Sequence, residues 1–202
     1  MPRDGGPARL RLQQAALDLY AERGFDRVTT AEIAARAGVT ERTFYRHFAD
    51  KREVLFDGEK TVRDALVAGV AGAPDSLAPL PALLWSLRTV VPLLEGNRPF
   101  SVPRHRIIAA TPALREREQA KNAGMTEALA SALRDRGASE STASLVAHVG
   151  MAAFTHAAAV WFLDPDRDLD GLLCDVFGEL HPLTAPLAAA GAPEIPAKAA
   201  SS

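Results

Sequence analysis

The chain has 202 residues, of which 48% are apolar and 24% are charged, a composition that excludes an intrinsically disordered protein. Its single cysteine, Cys174, excludes an intramolecular disulfide and fits a reducing cytoplasm. The net charge of −2 argues against a nonspecific nucleic-acid binder.

Charge is distributed unevenly along the chain. Residues 1–52 carry ten Lys/Arg against seven Asp/Glu, a balance of +3, and residues 53–202 carry thirteen against eighteen, a balance of −5. This asymmetry fits a small basic head that contacts nucleic acid through a limited patch, and it fits an ordinary solvated surface equally well. The N-terminus lacks the apolar stretch of a signal peptide, and no window approaches an uninterrupted apolar membrane span. We therefore expect a cytoplasmic protein with no membrane partner.

Turn signals divide the chain into about nine helices and no convincing strand, which predicts an all-α fold. The first helix, about residues 7–23, places apolar side chains on one face at helical spacing. Gly24 ends it. The members of that face are Leu12, Ala15, Ala16, Leu19 and Tyr20.

Residues 28–56, VTTAEIAARAGVTERTFYRHFADKREVLF, contain three consecutive helix starts. Thr29 is the first cap residue, and a glutamate three residues later completes a capping box. Thr40 is the second cap, Gly38 supplies the left-handed turn just before it, and a third start follows at Asp50. Two short helices joined so tightly must cross at a steep angle, and this predicts a helix-turn-helix.

The second helix of that pair, from Glu41 to Phe48, has two contrasting faces. Phe44 and Phe48 are four residues apart on one side, while Arg42 and Arg46 are four residues apart on the opposite side. The helix is about 12 Å long, which matches a major groove about 12 Å wide. The pattern predicts a helix that is anchored by its phenylalanines and reads DNA with its arginines.

We expect eight residues of this region to contact DNA. Arg42 is the first choice for a base contact, because its guanidinium matches O6 and N7 of guanine, and Arg46 either reads a base or binds phosphate. Thr43 meets a thymine methyl group or donates from its hydroxyl, and the other five hold the phosphate backbone. The full set is Thr30, Thr40, Arg42, Thr43, Tyr45, Arg46, His47 and Lys51. Each residue also has an ordinary alternative as a solvated or packing side chain.

These residues resemble the N-terminal domain of the TetR (tetracycline-repressor-like) family of transcriptional regulators. The resemblance covers about residues 9–57 and is strongest in IAARAGVTERTFYRHFADKREVL. The positions that match are Ile33, Ala34, Ala37, Gly38, Val39, Phe44, Tyr45, Phe48 and Lys51. Thr40 and Arg42 depart from the serine and glycine that the family most often has there, which leaves base preference open.

The resemblance implies a homodimer in which the C-terminal helices form a four-helix interface, with a ligand cavity in each body. Ligand binding in such proteins changes the separation of the two DNA-binding heads. A ligand that binds the wide-set dimer better must weaken DNA binding by the same factor.

Four segments are expected along the chain. Residues 1–50 form the helix-turn-helix domain, and residues 51–72 form a connecting helix that finishes in the breaker-rich segment GAPDS. Residues 73–185 form a helical domain for effector binding and dimerisation, and residues 186–202 form a disordered Ala/Pro-rich tail.

Within the body, helices are expected at about 79–95, 103–110, 112–136, 140–163 and 168–181. Pro92 should kink or end the first of them. The last two helices are apolar around most of their circumference, so they need partners on two sides. A second subunit is one such partner, and a large monomeric core is the alternative. The residues assigned to a dimer interface are Val149, Ala153, Val160, Trp161, Leu172, Val176 and Phe177.

The body carries no motif that names a ligand. Candidates for a mostly apolar effector pocket are Trp85, Phe100, His105, Met125, Phe154 and His156, and simple core membership is the alternative for each. No catalytic constellation, phosphate loop or metal-ligand spacing is recognisable, so we expect no enzyme activity, no cofactor and no metal.

The sequence therefore predicts a DNA-binding transcriptional regulator. The favoured hypothesis is a ligand-responsive homodimeric repressor that binds a palindromic double-stranded DNA operator and is released by a small-molecule effector. The alternative is a helical enzyme or a protein-interaction module in which the N-terminal helices are scaffold.

Overall fold

The computed structural model describes residues 6–190, and it describes side chains through residue 180. This part of the chain contains nine helices and no strand, which confirms the predicted all-α fold. The helices are α1 Gly6–Arg23, α2 Thr30–Arg36, α3 Glu41–His47, α4 Glu59–Ala71, α5 Pro79–Gly96, α6 Arg98–Ala110, α7 Pro112–Asp135, α8 Glu140–Leu163 and α9 Leu169–Ala190.

Helices α1 to α3 form the head, and their ends follow the predicted capping chemistry. The Thr29 side chain accepts from the backbone N–H of Glu32, and the Glu32 carboxylate accepts from the backbone N–H of Thr29, so the capping box is complete. Thr40 caps α3 by accepting from the Thr43 N–H. Gly38 has φ +68°, a left-handed conformation that glycine adopts without steric cost. Local hydrogen bonding thus sets the sharp turn between α2 and α3.

Helix α4 begins later than the sequence indicated. The expected start was near Lys51, whereas residues 51–58 form successive turns and the helix begins at Glu59. The Asp50 carboxylate does accept from the backbone N–H of Arg52 at 2.7 Å and of Glu53 at 3.2 Å, so it caps a turn rather than a long helix.

The described residues form two hydrophobic cores, and each core contains residues that the sequence assigned to another segment of the chain. Leu66 and Val70 of α4 are buried in the body core. Ile107 and Ile108 of α6, with Leu114 of α7, are buried in the head core. The head is therefore completed by α6 and α7, which lie far along the chain.

Two prolines lie inside helices instead of ending them. Helix α5 continues past Pro92 to Gly96, and α6 runs through Pro103 from an earlier start at Arg98 than the expected residue 103. A proline removes one interior hydrogen bond, and burial of the neighbouring Val90 and Val91 offsets that loss in α5.

Helix α8 is the central helix of the body. It packs against α5, α7 and α9. A Cβ atom on Gly150 would overlap the buried Leu83 side chain of α5, so a larger residue at this position would require Leu83 to shift. Among the described helices, α8 is the one that is long and apolar enough to cross a membrane by length and composition alone, a test that the core helix of a globular protein also passes. Its buried positions face the other body helices, as in the core helix of a globular domain.

Helix α9 extends to Ala190, beyond the expected end at residue 181. Residues 186–190 of the expected disordered tail are therefore helical, and residues 191–202 lie outside the described part of the chain.

Candidate nucleic-acid interface

The reading helix α3 is anchored through its phenylalanines. Phe44 has no exposed surface and Phe48 is 4% exposed, and both belong to the head core. Their ring centroids lie 5.7 Å apart. Phe48 caps the C-terminal end of α3 and lies just outside the helix. The inner face is thus fixed by aromatic packing, which sets the direction of the outer face.

Two arginines extend from the outer face of α3. Arg42 and Arg46 are both exposed. Neither guanidinium has a hydrogen bond or ion pair with another residue in the described part of the chain. Two unpaired guanidinium groups on a rigidly held helix are available to an external anion or to base edges.

A hydroxyl and carboxylate network joins the start of α2 to α3. Thr30 Oγ1 donates to Glu41 Oε1 at 2.6 Å and lies 3.1 Å from the Tyr45 hydroxyl oxygen. Since the single Thr30 proton goes to the carboxylate, the Tyr45 hydroxyl donates to Thr30. Both hydroxyl protons are therefore engaged inside the free protein, and a phosphate must compete for them.

Thr40 and Thr43 form the cap at the N-terminal end of α3. The Thr43 backbone N–H donates to Thr40 Oγ1 at 3.2 Å, and the two side-chain oxygens lie 3.0 Å apart. Thr40 is exposed and Thr43 is half-buried, so both lie at the edge of the surface that carries Arg42.

Lys51 has a different position from the one expected. It does not lie in the first turn of α4, and its ammonium donates to the carbonyls of Phe25 at 3.0 Å, Asp26 at 3.3 Å and Val28 at 2.9 Å. It also lies 4.4 Å from the centre of the Phe25 ring. All three of its donors are engaged, so the expected phosphate clamp is an internal tie in the free protein.

His47 is also less suited to phosphate than the sequence indicated. Its Nε2 atom is buried and has no hydrogen-bond partner. Burial, followed by the nearby charges of Arg46 and Arg9, lowers the pKa of His47. The ring therefore favours the neutral form and does not present a cation to DNA.

The six candidates for an effector pocket lie in several different environments of the described structure. Trp85 is 46% exposed and Met125 is buried in the body core, while Phe100 packs against the head core. His105 stacks on Phe162 with ring centroids 4.3 Å apart. Phe154 is half-buried in the body, and His156 is exposed on α8. Spacing along the sequence could not show that these side chains belong to different environments.

An opening of about 350 Å³ lies between the end of α1 and α6, and none of the six candidates lines it. Its lining residues are Tyr20, Ala21, Gly24, Phe25, Pro103, Arg106, Ile107, Ala110 and Thr111. Within the described residues, no three His, Cys, Asp or Glu side chains come close enough to hold a metal.

Three of the residues assigned to a dimer interface are buried within the chain itself. Ala153, Trp161 and Leu172 are at most 5% exposed, so they cannot contact a second subunit without rearrangement. Val149, Val160, Val176 and Phe177 are half-buried. The exposed outer stripe of α8 instead consists of Leu145, His148, Ala152, Thr155, Ala159 and Leu163.

Sequence reasoning missed the junction between head and body. Arg104 of α6 donates from Nε to the Leu55 carbonyl at 2.5 Å, and its guanidinium carbon lies 5.1 Å from the centre of the Phe56 ring. Lys121 of α7 approaches the same ring to 4.6 Å and forms an ion pair with Glu59. These partners are about fifty or more residues apart, so no local pattern could indicate them. The Phe56 ring thus contacts two cations from the body.

Comparison with known proteins gives two family matches. Residues 12–57 match the family described as bacterial regulatory proteins, tetR family. Residues 77–185, more than half of the chain, match the MftR C-terminal domain.

Individual relatives extend over most of the chain. The HTH-type transcriptional regulator TcmR of Streptomyces glaucescens is 28% identical over 172 residues, which cover 80% of this chain and 76% of TcmR. The HTH-type transcriptional activator FasR of Mycolicibacterium smegmatis is 29% identical over 176 residues, covering 84% and 78%. Among solved structures, the SmeT–triclosan complex superposes with a TM-score of 0.61 at 23% identity, covering 85% of this chain and 90% of SmeT. At 23% identity, the likeness to SmeT shows a shared fold and nothing further.

Proposed function

The chain belongs to the tetR family of bacterial regulatory proteins and is a DNA-binding transcriptional regulator, and we propose that it acts as a ligand-released homodimeric repressor. In this proposal it binds a palindromic operator in the cytoplasm, and a small molecule bound in the body weakens that binding. The family match favours a regulator over a helical enzyme or a protein-interaction module.

The unpaired state of Arg42 and Arg46 carries the proposal for DNA contact. Both guanidinium groups extend from a helix whose opposite side is buried through Phe44 and Phe48. The N-terminal part of such a helix normally contacts base edges, and Arg42 lies in its first turn. Thr40 flanks this surface as a phosphate contact, and Thr43 meets a thymine methyl group or donates from its hydroxyl. Thr30 and Tyr45 keep the hydrogen bonds that hold Glu41.

The outer stripe of α8 supports the proposal of a homodimer. Leu163 is 82% exposed and Leu145 is 65% exposed, and alanines lie between them at helical spacing. Small side chains allow two helices to approach closely, and burial of the exposed leucines at the two ends of the stripe favours association. A two-fold dimer carries two copies of the head, so we expect its operator to contain two inverted half-sites.

Release by a ligand rests on the connection between body and head. Arg104 and Lys121 join α6 and α7 to the segment that follows α3, and these contacts are the route by which we expect a change in the body to reach the reading helix. SmeT, which has the same fold, is known in complex with triclosan, and this supports a small-molecule ligand for this chain. A ligand that prefers one arrangement of the heads changes DNA affinity by its differential affinity for the two arrangements.

Selection of bound fragments from the source genome, followed by a salt titration, tests the proposal. We expect enrichment of one inverted repeat, and the logarithm of its binding constant should fall linearly with the logarithm of salt concentration, with a slope of about −0.9 for each phosphate contact. No enriched repeat, or affinity that is insensitive to salt, would contradict DNA binding through this head.

A transcriptional reporter under the recovered operator tests the sign of regulation. Deletion of the gene for this protein should raise reporter expression if the protein is a repressor. A fall in expression would instead make it an activator, as FasR is named.

A further inference from the structure

Glu41 places a negative charge on the surface that is proposed to meet DNA. It is the first residue of α3 and is exposed. In the described part of the chain its carboxylate contacts the Thr30 hydroxyl, and no cation lies within ion-pair distance of it. This uncompensated carboxylate is adjacent in sequence to the unpaired Arg42.

A carboxylate in this position repels phosphate, so it opposes binding to DNA unless the groove offers it a proton donor. In the major groove the donors are the exocyclic amino groups, N4 of cytosine and N6 of adenine. Adenine also presents the acceptor N7 beside N6, which repels a carboxylate, whereas cytosine presents N4 without an adjacent acceptor. The chemistry of Glu41 therefore favours cytosine.

The Thr30 hydroxyl holds the carboxylate in a defined orientation. It donates to Oε1 at 2.6 Å, and this leaves Oε2 free to accept from a base. The Tyr45 hydroxyl, 3.1 Å from Thr30 Oγ1, completes the arrangement from the next turn of α3. A side chain that is already oriented loses less conformational entropy when it binds.

We propose that Glu41 is a specificity-determining residue that selects a cytosine at one base pair of each operator half-site. This inference rests on the proposed DNA-binding function. It assigns Arg42 and Glu41 complementary roles, in which the guanidinium reads acceptors of guanine and the carboxylate reads the amino group of cytosine.

The test compares wild type, Glu41→Gln and Glu41→Ala on the recovered operator, with all four bases at each position and one fixed salt concentration. Glu41→Ala should lose about tenfold discrimination at one base pair per half-site, and its affinity for the other sequences should rise because the repulsion is gone. Glu41→Gln should move the preferred base from cytosine to adenine, since a carboxamide pairs with N6 and N7 of adenine. Asp75→Asn, which removes an exposed carboxylate between α4 and α5, should leave every base preference unchanged.

A second pair of variants tests the orientation by Thr30. Thr30→Ser keeps the hydroxyl and should keep the cytosine preference, while Thr30→Val should weaken that preference at the same base pair. Unfolding temperatures of all variants separate loss of reading from loss of the folded head.

Unchanged base preferences in both Glu41 variants, with or without a change in unfolding temperature, would overturn the inference and leave the proposed function intact. If the wild type binds no fragment with sequence preference, the proposed function and this inference fail together.

Discussion

The ammonium group of Lys51 ties the loop between α1 and α2 to the segment that follows the reading helix. Its three donors meet three backbone carbonyls, and the neighbouring Tyr20 hydroxyl donates to the Lys51 carbonyl at 2.7 Å. Burial raises the pKa of Tyr20, so this hydroxyl stays a donor at any physiological pH. One residue thus joins two parts of the head that are more than twenty residues apart.

Replacement of Lys51 by methionine should destabilise the head by about 1–3 kcal/mol, because the carbonyls lose charged hydrogen-bond donors. Urea unfolding of the two proteins measures the difference. Arg52→Met is the control, since Arg52 is exposed and pairs with Asp50, and it should cost less than about 1 kcal/mol. A Lys51→Met protein with unchanged stability but uniformly weaker DNA binding would show that Lys51 is a phosphate contact after all.

Unlike Lys51, Arg42 makes no hydrogen bond or ion pair with any described residue, so its substitution removes no such contact from the folded head. Arg42→Ala should cost about 1–3 kcal/mol of binding free energy at one base position of each half-site and leave unfolding unchanged. Competition binding across a base-substitution series measures it. Arg36→Ala removes an equal charge from a residue paired with Glu22 and serves as the control. If the Arg42 variant ranks all bases as wild type does, Arg42 is not a base reader.

Among the elements, α2 shows how one carboxylate fixes the start of a helix. The Thr29 backbone N–H and hydroxyl each donate to Glu32 Oε2 at 2.8 Å, and Arg23 lies 3.0 Å from Oε1. The hydrogen bonds from Thr29, with Arg23 next in effect, lower the pKa of Glu32 from 4.5 to about 2. Because the pKa in the folded state is below the unfolded value, the stabilisation is complete above pH 4.5 and is lost as the pH falls through about 2.

Glu32→Gln tests this pH dependence while it keeps the geometry of the capping box. The difference in free energy of unfolding between wild type and variant should be constant near neutral pH and should shrink as the pH falls below 4.5. Urea titrations followed by circular dichroism at several pH values measure it. A difference that does not vary with pH would show that the Glu32 charge has no role in capping.

The whole molecule is held together by the junction of head and body. The head core contains Ile107, Ile108 and Leu114, and Arg104 and Lys121 both contact the Phe56 ring. Burial lowers the pKa of Arg104, although the ion pair with Glu118 at 3.3 Å opposes that shift. Shared core residues and partly buried cations make independent movement of the head costly.

The double variant Arg104→Met, Lys121→Met should uncouple unfolding of the head from that of the body. Both tyrosines, Tyr20 and Tyr45, lie in the head, and both tryptophans lie in the body. Near-ultraviolet signals of tyrosine and of tryptophan therefore report unfolding of the head and of the body separately. Wild type should give coincident thermal transitions, and in the variant the tyrosine signal should change first. Coincident curves in the variant would show that the apolar contacts alone couple the two parts.

The oligomeric state is also a property of the whole molecule. Ala152→Arg introduces a long charged side chain in the middle of the outer stripe of α8 and should convert a micromolar dimer into a monomer in sedimentation experiments. Ala120→Arg, at an exposed position of α7, should leave the dimer intact. A wild-type monomer at micromolar concentration would contradict the proposed dimer, and a dimeric Ala152→Arg protein would place the interface elsewhere.

The sequence by itself determined the helical fold, the turn between α2 and α3, and the burial of Phe44 and Phe48 opposite Arg42 and Arg46. These features follow from caps, a glycine and helical periodicity, which act between residues at most a few positions apart. The order of residues along the chain is therefore sufficient to predict these features.

Only the tertiary structure decided where Lys51 donates, that Glu41 is held by Thr30, and that Trp161 is buried inside the body. It also decided that α6 and α7 complete the head and hold Phe56. Each of these contacts joins residues between eleven and about sixty-five positions apart. These contacts form only when the helices pack against one another. A local sequence pattern does not show which of several similar side chains will become partners.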